Sequence, residues 1–172
     1  MSEKSMFFNS VDGDTREYSA ADFADCLSGI CPNGVLEGLA VSPTNSQVNI
    51  SAGKAIINGY IYVLDETKII TPSASSGNSV RYGRVVLQLD LSSRSISAAV
   101  KTNVGSAPAL EENEISLAIV PVQVNGAVTG VTDDRTFSNS YSVLKNKPIH
   151  YGTGTPSNSL GNNGDIYVQY ES

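Results

Sequence analysis

Asn58-Gly59 stands between two runs rich in β-branched and aromatic residues, Ala55-Ile56-Ile57 and Tyr60-Ile61-Tyr62-Val63. No other pair of residues constrains the fold as tightly. A two-residue type I′ turn needs positive φ at both central positions, which Asn and Gly tolerate best, so the runs are adjacent antiparallel strands. The same pattern extends on both sides. Leu39-Ala40-Val41, Gln47-Val48-Asn49-Ile50 and Lys68-Ile69-Ile70 are short runs divided by Pro-Thr-Asn-Ser and Ala-Gly, which predicts a meander of hairpins.

Beyond the Ser-, Gly- and Pro-containing stretch Thr71 to Ser79, Val85, Leu87, Leu89 and Leu91 alternate with Arg84, Gln88 and Asp90. That is a strand with one buried and one wet face. Ser92-Ser93-Arg94 turns it, and Ile96, Ala98 and Val100 return on the same face. A further ladder spans Ile115 to Val124, closed by Asn125-Gly126, and Pro121 marks an edge or a bulge within it because proline has no N–H to donate. From Ser138 to Lys147 the composition is that of a linker, and the last apolar run is Ile166-Tyr167-Val168-Gln169-Tyr170. Its local partner is the glycine-rich Tyr151 to Thr155, which predicts a C-terminal hairpin or a strand lent to a neighbour.

One helix precedes the strands. Ser19 fits an N-cap, Asp22 sits three residues on as its capping-box partner, and Phe23, Leu27 and Ile30 form an apolar stripe. Cys31-Pro32-Asn33-Gly34 stops the helix, since proline disfavours a helical conformation in the residue before it. The expected architecture is mainly β: an antiparallel sandwich or flattened barrel preceded by a short N-terminal helix, with a β-hairpin-like C-terminal extension. The expected divisions are 1–35, arm and helix; 36–137, β-sandwich; and 138–172, linker and hairpin.

At 172 residues the chain is long enough to bury a core, and its net charge of −6 argues against a nucleic-acid partner. No apolar run approaches a membrane span and no basic-then-apolar leader opens the chain, so membrane insertion and Sec export are not expected. Cys26 and Cys31, with the single His150, cannot complete a structural zinc tetrad, and the pairing of the two thiols is left open. His150 has no nucleophile-elbow sequence to serve, and the carboxylates at Asp12/Asp14, Glu111/Glu112/Glu114 and Asp133/Asp134 lack an EF-hand register. They read as turn caps. No catalytic residue, metal or cofactor is therefore expected. The tyrosines 60, 62, 82, 151, 167 and 170 suit either packing or a saccharide platform.

Six segments carry a family resemblance. They are Phe7-Phe8-Asn9-Ser10 with Asp12-Gly13-Asp14; Tyr18 with Ala21-Asp22-Phe23; Asn33-Gly34-Val35; Ala52-Gly53-Lys54-Ala55 with Ile57-Asn58-Gly59-Tyr60; Arg81 to Asp90 followed by Arg94; and Glu114 to Leu117 leading to Val131-Thr132-Asp133-Asp134-Arg135. Over Met6 to Arg135 the chain resembles the N-terminal module of baseplate and tail-tip proteins of phages infecting Gram-positive bacteria, the upper-baseplate and receptor-binding-protein shoulder type. Tyr151-Gly152-Thr153 with Gly164-Asp165-Ile166-Tyr167 resembles a short motif at domain ends in phage tail proteins. The resemblance implies a non-enzymatic virion subunit, located in the tail or baseplate, that contacts other baseplate proteins and receptor-binding proteins as a homo-oligomer, by analogy a trimer. Docking would fall to Met6, Phe7, Phe8, Tyr18 and Phe23 at one end and Ile166, Tyr167, Val168 and Tyr170 at the other. The alternative from a different class is a small module binding host-surface polysaccharide.

Overall fold

The structure is a computed structural model and describes residues 5–73, 79–138, 149–157, 160 and 166–170. The chain divides into two compact units, Met1–Ser138 and Asn139–Ser172. The first opens with α1 (Ala20–Ile30), followed by β1 (Gly34–Gly38), β2 (Val41–Thr44), β3 (Gln47–Ile50), β4 (Gly53–Ile57), β5 (Tyr60–Leu64) and β6 (Lys68–Ile70). Then come β7 (Arg81–Asp90), β8 (Ser95–Val104), β9 (Glu114–Val122) and β10 (Thr132–Asp133). The second unit contributes β11 (Ile149–Gly152) and β12 (Ile166–Gln169). Among the described residues the protein is mainly β with one short helix, and the sheets of the first unit are antiparallel in a sandwich-like arrangement.

The first six strands form two three-stranded sheets, β1-β4-β5 and β2-β3-β6. They are one meander bent in the middle. β1 and β2 run along β4 and β3 as the two arms of a single long hairpin, from Gly34↔Ile56 through Gly38↔Gly53 to Thr44↔Gln47, and β5 and β6 follow on the far side of β4 and β3. At the bend Gly38 and Leu39 both take positive φ, and the Leu39 and Ser51 amides donate to the carbonyls of Ala52 and Ala40. Strands that switch sheets at such corners are one way a sandwich turns. Leu39-Ala40 is therefore the corner rather than the start of a strand. Gly34 to Gly38, whose two terminal glycines hide any β pattern, is the strand instead.

Asn58 and Gly59 take φ of 49° and 79°, as a type I′ turn requires. The long hairpin β7–β8 pairs from Arg81↔Val104 to Asp90↔Ser95, and β9 lies along the other side of β7 with β10 outside it. Pro121 sits just past the two-residue β10 pairing, where the outer flank of β9 has only the bridge Val122↔Val128. β9 carries a bulge, with Leu117 the extra residue opposite the Val85–Val86 step, while β7 stays in register with β8 and keeps its alternation: Val85, Leu87 and Leu89 join the core and Val86 is buried outside it. Leu91 leaves the strand altogether and is exposed in the turn.

The core joins Val35, Leu39, Val48, Ile50, Ala55 and Ile57 from the bent meander to Val85, Leu87, Leu117, Ala118, Val120 and Val122 from the long-hairpin sheet. Leu87 and Leu117 are fully buried, each worth about 2 kcal/mol of transfer free energy. The segment after β10 closes this body. Val35 donates to Thr136, Ser138 donates back to Val35, and Phe137 bridges Val35 in parallel. Gly34 is needed there because a Cβ would stand 2.6 Å from the Thr136 carbonyl oxygen and 2.8 Å from the Ser138 nitrogen.

Of the stripe Phe23, Leu27, Ile30, the first and last are exposed and Leu27 is half-buried, and the buried helix residues are Asp22 and Ala24. The helix comes close at Ala24, whose carbonyl lies against Gly59, so a small side chain occupies the contact. The C-terminal strands, expected as a hairpin, pair in parallel from Ile149↔Ile166 to Gly152↔Gln169. A hairpin needs a short turn, whereas the connection 153–165 has the dozen or more residues that a parallel crossover demands. The linker expected over Ser138 to Lys147 lies, apart from Ser138, outside the described residues.

Candidate docking site

Within the three carboxylate clusters, each side chain except Asp12 and Glu112 has structural work in this fold. Asp133 accepts two bonds from the Arg135 guanidinium and one from its amide, which hold its carboxyl down at about 2. Arg135 in turn donates to the Gly38 carbonyl at 2.7 Å and lies over the Phe137 ring, 5.1 Å from its centre. The motif Thr132 to Arg135 is thus a clasp between the corner of the meander and the end of the first unit. Asp134 pairs with Arg84, which also donates to Ser116 and the Pro108 carbonyl. Glu114, its side chain 1% exposed, accepts from Lys101 and from the Glu111 amide, and Glu111 completes the cluster on Lys101. These bonds to Glu111 and Glu114 raise the Lys101 pKa. Asp90 caps the β7–β8 turn through Ser92 and Ser93, whose hydroxyls and amides hold its carboxyl at about 2. Asp14 pairs with Arg16 across the first turn. Among the described residues no three His, Cys, Asp or Glu side chains gather as a cation site.

Cys26 and Cys31 are free thiols, both half-buried, and His150 lies half-buried in β11. Asn33 and Asn58 hold each other: Asn58 donates its amide to the Asn33 side chain at 2.6 Å, and Asn33 returns a bond at 2.8 Å. The two Asn-Gly motifs therefore fasten the exit of α1 to the β4–β5 turn.

The expected docking residues of the arm come together on the helix. Ser19 caps α1, and its amide donates to Asp22 in a complete capping box. Phe7 lies 5.3 Å from the Tyr18 ring and 5.2 Å from the Phe23 ring, and the Phe8 amide donates to the Tyr18 hydroxyl at 2.8 Å. Phe23, at the start of the α1 stripe, thus receives the arm. Met6 and Tyr18 are half-buried, whereas Phe7, Phe8 and Phe23 remain exposed, Phe8 by 61%. Val11 and Asp14 exchange both backbone bonds around Asp12-Gly13, a tight turn that leaves Val11 67% exposed. An arm tied by few bonds and showing this much aromatic surface is suited to contact with another molecule.

In the second unit Ile166 and Tyr167 are half-buried, while Val168 and Tyr170 are exposed. Tyr167 donates its hydroxyl to the Gly154 carbonyl at 2.8 Å, and the Tyr170 amide donates to Gly152. Among the described residues β12 pairs only with β11, so one flank of the pair is free for strand addition.

Sequence reasoning missed a third feature, a groove of about 320 Å³ lined by Tyr60, Ile61, Leu89, Leu91, Arg94 and Ile96. Ile61 and Leu91 are more than half exposed there, and Arg94 holds φ of 54° in a turn position that Gly or Asn ordinarily fills. That combination, an apolar residue just after the Asp90 cap and an arginine at the end of the turn, was the available signal.

Comparison with protein-family models, with curated proteins and with solved structures finds no match to this chain.

Proposed function

We propose that this protein is a structural subunit of a phage tail tip or baseplate, or of a phage-derived tail-like particle, that docks on the tail hub and carries or locks receptor-binding components. The six-segment sequence resemblance supports the reading. The observation that carries it is the arm itself: Phe7, Phe8 and Phe23 stay exposed around Tyr18 in a chain whose acidic clusters mostly serve turns and ion pairs. Binding in this reading is assembly, not catalysis. The arm meets neighbouring proteins of the particle, and the open flank of the β11–β12 pair receives a strand from a subunit or receptor-binding protein.

The test is deletion of Ser2 to Asn9 in particles produced in cells. The remaining chain should stay folded by circular dichroism and be lost from purified particles. Normal incorporation of the truncated subunit would remove the reading, as would electron density showing this chain outside the tail.

A further inference from the structure

We propose that the groove beside β5 receives the N-terminal arm of a second copy of this chain, with Phe8 and Val11 entering between Ile61, Leu91 and Ile96 and Asp12 pairing with Arg94. The inference rests on the arm being a docking element, and it names the partner. Its ground is complementarity between two surfaces of one sequence. In the groove, Arg94 is the one charged residue on an apolar lining and, like Arg81, has no ion-pair partner among the described residues, whereas Arg16, Arg84 and Arg135 each have one. On the arm, Asp12 has no ion-pair partner among the described residues and stands at the tip of a tight turn, next to Val11. Each surface thus sets one charge beside exposed apolar side chains, and the two charges are opposite.

Size agrees. A cavity of roughly 150 Å³ holds one benzene ring, so about 320 Å³ has room for the Phe8 ring and the Val11 side chain. Within its own chain the arm is held on α1 by Phe7 and by the bonds of Phe8 to Tyr18, which leaves the Phe8 and Val11 side chains turned outward. An arm-to-groove contact joins two different surfaces, so it is either reciprocated in a two-fold dimer or repeated head to tail in a ring where the rotation closes.

The experiment uses the purified full chain and sedimentation velocity over a range of concentrations. The wild type should associate, and Arg94→Asp or Asp12→Arg should each weaken association roughly tenfold or more, because each sets like charges together. The double variant Asp12→Arg/Arg94→Asp should restore it. As an independent readout, with Cys26 and Cys31 replaced by serine, a Phe8→Cys chain mixed with a Leu91→Cys chain in the presence of oxidised glutathione, which takes up the two electrons, should form a disulfide-linked heterodimer. A wild type that is monomeric throughout, an association indifferent to both reversals, a double variant that fails to recover, or absence of the heterodimer overturns the proposal. Because no particle is involved, failure here is distinct from failure of the arm-deletion test.

Discussion

Gly59 shows how one residue fixes the placement of a whole element. Its φ of 79° closes the β4–β5 turn, and a Cβ there would collide with the Ala24 carbonyl of α1. Gly59→Ala therefore meets both backbone strain and a helix it must displace, and should cost about 2 kcal/mol or more, read from the urea midpoint. A change below a few tenths would mean that α1 does not rest on this turn. Asp133 acts at the same scale through charge. Its carboxyl titrates at about 2 when folded against an ordinary 3.8, so the unfolded chain binds the proton first. The stability it contributes is complete above 3.8 and is lost as the pH falls from there towards 2. Asp90 titrates in the same window. Urea midpoints should fall with acid across that interval, and Asp133→Asn should shallow the fall. An unchanged slope would show that Arg135 holds an uncharged clasp.

Among the elements, α1 owes its start to local chemistry and its position to packing. Ser19→Ala removes the hydroxyl that accepts the Asp22 amide and should cost about 1 kcal/mol, with amide exchange accelerating first in the opening turn of the helix. Equal acceleration across the strands would contradict a local cap. What was legible in the sequence follows the same division. The capping box, the Asn58-Gly59 turn and the β7–β8 hairpin were readable because short-range backbone preferences determine them. The inward face of α1 was not, because apolar spacing marks a stripe without saying what lies against it, and here Phe7 meets Phe23 while Ala24 meets the turn. The corner at Gly38-Leu39 was hidden because a leucine with positive φ looks like any strand residue. The parallel pairing of β11 and β12 depends on a crossover, which no local pattern encodes. The groove drew Leu91 and Arg94 from a turn and Tyr60 and Ile61 from a strand distant in sequence, so only the fold brings them together.

For the whole molecule, the distribution of the core implies where the chain can be cut. Every residue of the described core lies between Val35 and Val131, and the described part of the second unit is a two-stranded pair whose Tyr151, Val168 and Tyr170 are exposed. A pair of strands alone is marginal in water. A chain ending at Ser138 should therefore unfold cooperatively with the midpoint and denaturant slope of the full protein. Ending it at Asp134 instead removes Arg135 from Gly38 and Asp133, removes Phe137 from Val35, and deletes both backbone bonds that Thr136 and Ser138 exchange with Val35. Two backbone bonds at a net ~1 kcal/mol each, with Val35 left buried and its amide unpaired, put the loss at about 2 to 4 kcal/mol. Urea denaturation of the two truncated chains side by side measures the difference. If both kept the parent midpoint, the segment after β10 would not be the closure of the sandwich, and if both lost it, the second unit would be part of the same cooperative body.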